Sequence, residues 1–138
     1  MFAFNRKFGQ AAFAVVGAAM LVMSGTTNAS AAARNGVCDS GEFCYYWGAN
    51  NTGSISDFTT SVPDYGTTQP TCYDFKGPGT GQGQCIKNNA RSVWNRTSGI
   101  VRVYYNSNYG GTFQPIAAGY KGNLNSTLSD NNASHKFL

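Results

Sequence analysis

The sequence predicts an all-β domain made of two similar antiparallel motifs packed face to face and braced by two disulfides. Short runs such as FCYYW, SVWN and IVRVYY alternate in the manner of half-buried strands, and no long amphipathic helical pattern interrupts them. The chain also says nearly the same thing twice. NNARSVWN stands past the middle and NNASHKFL at the end, and each half carries a tyrosine followed seven residues later by a glycine, Tyr46 to Gly53 and Tyr104 to Gly111. Four cysteines allow two bridges. Neither half alone can bury its apolar face, so the two are expected to pack together.

Taken in order, the chain opens with Arg6 and Lys7, an apolar run over residues 11–23 and the small-residue segment SGTTNASAAAR. That order is the pattern of a secretory signal peptide. The apolar run is too short to span a bilayer comfortably, and no second hydrophobic segment follows it. Residues 1–31 are therefore expected to be removed, with cleavage after Ala31 or Ala33, leaving 32–138 as one extracellular domain free of the membrane. Loss of Arg6 and Lys7 leaves eight basic residues against six acidic ones. The basic residues are scattered singly rather than clustered as a phosphate backbone would select, which argues against nucleic acid as partner.

Cys38, Cys44, Cys72 and Cys85 all follow the cleavage site and would meet an oxidising compartment. Neither spacing resembles a CxxC zinc motif. Of the three possible pairings, Cys38 with Cys44 and Cys72 with Cys85 are favoured, because each pair brackets a segment rich in turn residues (DSGEF and YDFKGPGTGQGQ). Strands are then expected at FCYYW, SVWN, IVRVYY and TFQPI, with Pro115 marking an edge or a strand end. Trp47 and Trp94 are expected in the core, and His135 on a strand surface. From Gly53 to Ser92 is 39 positions and from Gly111 to Ser134 is 23, so the first unit carries 16 extra residues, in the region DFTTSVPDYGTTQPTCYDFKGPGTGQGQCIK.

Tyr104, Tyr109 and Gly111 give an aromatic, four residues, an aromatic, one residue and a glycine. This spacing is similar to the Greek-key signature of βγ-crystallin domains. The first half keeps Tyr46 and Gly53 but has Asn51 where the second aromatic belongs. With its Cys-bounded start (NGVCDSGEFCYYW), central SVWN and second aromatic–glycine hairpin, the mature chain resembles the bacterial secreted metalloproteinase inhibitors built on a single βγ-crystallin domain. The resemblance implies a βγ-crystallin-like Greek-key sandwich. It also implies an inhibitor of thermolysin-like metalloproteinases, acting as a monomer on a secreted protease. The runner-up is a βγ-crystallin-type binding module with an antimicrobial, toxin-like or calcium-binding role.

For an inhibitor, the long cysteine-bounded insertion is the natural contact loop: a clamped segment loses little freedom on binding. Cys72, Tyr73, Phe75, Cys85 and Ile86 are its candidate protease-contact residues, since thermolysin-like enzymes accept a bulky apolar group beside the scissile bond. Tyr73 and Phe75 equally suit an ordinary half-buried strand.

The resemblance also raises calcium. Aligned on the alanine of each phrase, the second copy (Asp130 to His135) nearly keeps the family's ligand pattern, with Asp130 and Ser134 as contributors. The first copy, Lys87 to Ser92, places two cations there. No cofactor is therefore expected beyond weak calcium binding. An enzyme is not expected: the inventory yields no nucleophile–base constellation, and Asp39 and Glu42 read as solvated charge in a short loop.

Overall fold

The computed structural model describes residues 33–138. The leader expected over residues 1–31 lies outside the described residues. Among the described residues seven strands occur: β1 (Phe43–Gly48), β2 (Thr52–Phe58), β3 (Ser92–Asn95), β4 (Val101–Asn106), β5 (Gly110–Ile116), β6 (Lys121–Asn123) and β7 (Ser134–Phe137). They form two sheets, ordered β2-β1-β3-β6 and β5-β4-β7, in which every pair is antiparallel. The four expected strands are all present. β6, only KGN, adds an edge strand that no alternating pattern announces.

Alternation along β1 and β4 sets the core. Phe43, Tyr45, Val93, Val101, Val103 and Ile116 are buried between the sheets, joined by Leu124 and Leu128 from the closing loop. Each fully buried side chain of this size contributes on the order of 1.5–3 kcal/mol by leaving water. The alternate residues of β1, Cys44 and Tyr46, lie on the outer face in a satellite cluster with Cys38, Ile55 and Trp94. Trp47 and Trp94, expected inside, are each only half-buried. Trp47 borders the core edge-on to Phe75, with ring centroids 5.6 Å apart, and Trp94 stands on the outer face.

The two halves repeat one construction. Each hairpin shifts register near its end and turns through two consecutive left-handed residues, Asn50 and Asn51 in the first, Asn108 and Tyr109 in the second. A serine from the closing strand fastens each corner. Ser92 Oγ donates to the Gly48 carbonyl (2.6 Å) and accepts from the Asn51 amide (2.9 Å). Ser134 Oγ donates to the Asn106 carbonyl (2.7 Å) and accepts from the Tyr109 amide (3.2 Å). Ser92 pairs with Tyr46 as Ser134 pairs with Tyr104.

The structural equivalence is therefore Ser92 with Ser134, one residue out from the match of letters through Ala90 and Ala133. The neighbouring amides agree: Arg91 donates to the Tyr46 carbonyl as Ala133 donates to that of Tyr104. The repeated phrases also meet. Asn88 N donates to the Asn132 carbonyl (2.8 Å), Asn132 Oδ1 accepts from Ala90 N (3.1 Å), and Asn132 Nδ2 donates to the Ile86 carbonyl (3.0 Å).

His135 corrects a further expectation. It is fully buried, ringed by Phe43, Tyr45, Phe58, Tyr65 and Phe137. Its Nε2 lies 2.8 Å from the Thr60 carbonyl, which can only accept, so Nε2 carries the proton and Nδ1 accepts from the Tyr65 hydroxyl (2.8 Å). Tyr65 in turn accepts from the Tyr45 hydroxyl at 2.5 Å. One chain of hydrogen bonds thus links β1, the long connection and β7, and no member is left unpaired.

Candidate functional site

The connection between β2 and β3 holds the candidate contact residues. Both favoured disulfides are present, Cys38–Cys44 and Cys72–Cys85. The second closes a small antiparallel pairing, with Asp74 bridged to Cys85. Phe75 N donates to the Gln84 carbonyl (2.9 Å), Gly83 N to the Phe75 carbonyl (2.8 Å) and Ile86 N to the Tyr73 carbonyl (2.9 Å). The segment's base is sewn to the sheet by Lys76 N and Gly77 N, which both donate to the Ile55 carbonyl (2.9 and 3.1 Å), and by Ser54 N, which donates to that of Thr80 (2.9 Å).

This geometry divides the expected contact residues. Phe75 and Ile86 are 1% and 0% exposed and belong to the core, Phe75 against Trp47. Their assignment to the contact surface is corrected, because burying two large apolar groups is what holds the clamp to the sandwich. Cys72 is buried and Cys85 half-buried. Tyr73 alone of the five is exposed, at 39%, its ring over Phe58 with centroids 5.6 Å apart. Thr71, Lys76, Pro78, Gly79, Thr80, Gln82, Gly83 and Gln84 complete an exposed rim.

Beside Tyr73 lies a cleft of about 240 Å³ lined by Arg34, Thr71, Cys72, Tyr73, Asp74 and Lys76. Arg34 builds its floor. Its guanidinium donates to Ser56 Oγ (2.7 Å) and to the Asp57 and Asp74 carbonyls (2.9 and 2.8 Å), and it lies 4.3 Å from the centroid of the Phe58 ring. Asp74 is paired with Lys76 at 2.9 Å and with Arg34 at 3.8 Å. Burial pushes the Asp74 carboxyl up, but the hydrogen bonds from Lys76 and Gln69 and the charges of Lys76 and Arg34 leave it below its ordinary value. Sequence reasoning passed over Arg34 and Asp74. Their only local signal is position, one at the start of the domain and the other inside the cysteine-bounded segment.

The N-terminal strap that carries Arg34 is held by Asp57, which accepts from the Asn35 amide (3.0 Å) and the Gly36 amide (2.7 Å). Gly36 has φ +81° and passes so close to the clamp that a Cβ there would lie 2.6 Å from the Gly77 backbone. Glu42 is not the solvated charge expected of it. It is fully buried, accepts from the Asp39 amide (2.9 Å), and is pushed up to about 7 by burial, with the nearby Asp57 and Asp39 charges adding to the effect.

The groups expected at a calcium site are engaged within the chain. Arg91 Nε donates to both Asp130 oxygens (3.2 and 3.0 Å), and the Ser134 hydroxyl is occupied at the hairpin corner. Lys87 places its ammonium 3.2 Å from Asp64 Oδ1 and 2.9 Å from Ser107 Oγ, on a polar cleft lined also by Asn88, Asn106 and Asn131. Among the described residues no group of three or more His, Cys, Asp or Glu is placed to hold a metal. A calcium ion needs six to eight oxygens, and two built-in cations at these loops do not fit it.

Among solved structures, the chain is similar to one described as "Evolution of the eye lens beta-gamma-crystallin domain fold", with a TM-score of 0.56 and 15% identity over 74% of this chain and 90% of that one. It is also similar to a βγ-crystallin from an archaeon, with a TM-score of 0.51 and 20% identity over 72% and 100% of the respective chains. These likenesses show the fold. No curated protein matches the sequence. Residues 31–116 match the family described as Peptidase inhibitor family I36, a span that contains the strap, both disulfides, the clamp and the second hairpin. With a βγ-crystallin sandwich beneath an exposed rim closed by the Cys72–Cys85 bridge, the chain belongs to that family of peptidase inhibitors.

Proposed function

We propose that the protein is a secreted, monomeric inhibitor of a thermolysin-like metalloproteinase, docking the rim around Tyr73 against the protease. The observation that carries this reading is the pairing of a projecting aromatic with rigid support on every side. Tyr73 sits next to Cys72, donates its amide to the Tyr65 carbonyl (2.7 Å), receives the Ile86 amide on its own carbonyl, and has Arg34 5.4 Å from its ring centroid. A segment held in this way loses little conformational freedom on binding, so more of the contact energy appears as affinity. Both disulfides accord with an extracellular site of action.

The test is inhibition of a panel of metalloproteases and serine proteases by purified protein, with Tyr73→Ala alongside. An exposed aromatic at the centre of an interface is worth about 2 kcal/mol or more, so the variant is expected to raise the inhibition constant by roughly thirtyfold while the domain, somewhat less stable for the lost packing on Phe58, stays folded under assay conditions. Unchanged inhibition by the variant would remove Tyr73 from the contact. Inhibition of serine proteases alone would overturn the metalloproteinase assignment.

We infer further that calcium plays no part. Adding calcium, or removing it with a chelator, is expected to leave the melting temperature where it was, because a bound ion would raise it by mass action. The variant Arg91→Ser, which frees Asp130, is the one in which a calcium-dependent rise is expected to emerge.

A further inference from the structure

We propose that the outer face of the β5-β4-β7 sheet is a second docking surface, for a carboxylate-rich segment of a protein partner. Of the eight basic residues in the described chain, Arg34, Lys76, Lys87 and Arg91 sit against carboxylates. Arg96 and Lys121 both stand over the Trp94 ring on the other sheet, and Arg102 and Lys136 likewise have no carboxylate partner, on a sheet whose strands β4, β5 and β7 contain no acidic residue. Arg102 on β4 is registered directly opposite Lys136 on β7. Like charges facing each other across a strand pair weaken the sheet that holds them, so the pairing itself carries a cost in the free domain.

Each cation instead lies over an aromatic ring. The Arg102 guanidinium is 4.5 Å from the centroid of Phe113, and the Lys136 ammonium is 5.4 Å from that of Tyr109. Tyr104 packs between those two rings, at 5.8 Å from Tyr109 and 5.5 Å from Phe113. Phe113 is 41% exposed, and Pro115 beside it is exposed as well. The result is an aromatic centre with a cation toward each side. Aromatic residues and arginine at the centre of a patch are the composition of protein interfaces, and the charge calls for carboxylates in return. Phosphate polymers select clustered cations, whereas here the two are set among apolar side chains. The surface does not involve the clamp, so it stands or falls separately from the inhibitory rim.

The test uses the full domain, isotopically labelled, titrated with polyglutamate and followed by amide chemical shifts. Saturable shifts confined to β4, β5 and β7 are expected, abolished by high salt and absent with polyglutamine. The double variant Arg102→Gln, Lys136→Gln is expected to weaken binding by on the order of tenfold or more, since two charge-assisted contacts are lost. Relief of the like-charge pair and loss of the two cation–ring contacts oppose each other, so the melting temperature is expected to change little and the loss of binding is read on a folded domain. No binding, shifts elsewhere or an unaffected double variant would each overturn the proposal. Binding of inorganic polyphosphate or anionic phospholipid vesicles in place of polyglutamate would overturn the assignment to a protein partner.

Discussion

Replacing Cys72 and Cys85 together by serine is expected to lower the stability of the domain by about 3 kcal/mol and to abolish inhibition at concentrations where the parent protein is saturating. The bridge closes a loop with a sequence separation of 13 residues, which sets that figure through the freedom it removes from the unfolded chain. The folded state suffers as well. Asp74 and Cys85 face each other in the small pairing, and the amides of Phe75, Gly83 and Ile86 close it. Phe75 and Ile86 keep their places in the core, so the serine variant remains folded while the Tyr73 rim loosens. Urea unfolding gives the stability change, and inhibition assays give the functional loss. Full inhibition by the serine variant would show that the bridge does not organise the contact.

The second large effect is acid sensitivity centred on His135. Burial holds its imidazole down to about 4, against an ordinary value of 6.5, with the acceptor Thr60 only partly opposing the shift. Between those values the unfolded chain takes up a proton that the folded chain refuses. The contribution of His135 is therefore complete above pH 6.5 and is lost as pH falls to about 4, amounting to about 3 kcal/mol. Glu42 acts in the opposite sense. Raised to about 7, its carboxyl favours the folded state below pH 4.5, and that contribution is lost as pH rises to about 7. The variant Glu42→Gln is thus expected to show a steeper loss of stability on acidification than the parent. Carbon-bound ring protons of His135 are expected to keep their chemical shifts down to about pH 4, and a titration near pH 6.5 would overturn the account.

Much of the fold was legible because it rests on local signals. The alternation in FCYYW and IVRVYY set the strands, and the tyrosine–glycine spacing set both hairpins. Each disulfide joins cysteines separated by a short stretch of turn residues. What was misread depends on residues remote in sequence. His135 is enclosed by aromatic rings that include Tyr65, 70 residues away in sequence and hydrogen-bonded to it, and the buried Glu42 has Asp57, 15 residues on, among the charges that raise it. Nothing beside either residue announces those partners.

The contact segment shows the same limit. Period-two alternation identifies Phe75 as strand-like but cannot say which side faces the core, and Ile86 next to a cysteine reads equally well as exposed or buried. The one-residue slip between the repeated phrases arose from aligning letters. The functional equivalence lies in the hydroxyl that fastens each hairpin corner, Ser92 in one half and Ser134 in the other.

The crosswise bonding of Asn88, Ala90 and Asn132 has a kinetic consequence. Because β7 supplies both Ser134 and His135 and pairs with β4 and with Val62 in the long connection, neither the β5-β4-β7 sheet nor the hydrogen-bond chain through His135 can be completed without it. Such a topology defers commitment until distant segments collide, which slows folding and leaves the chain open meanwhile.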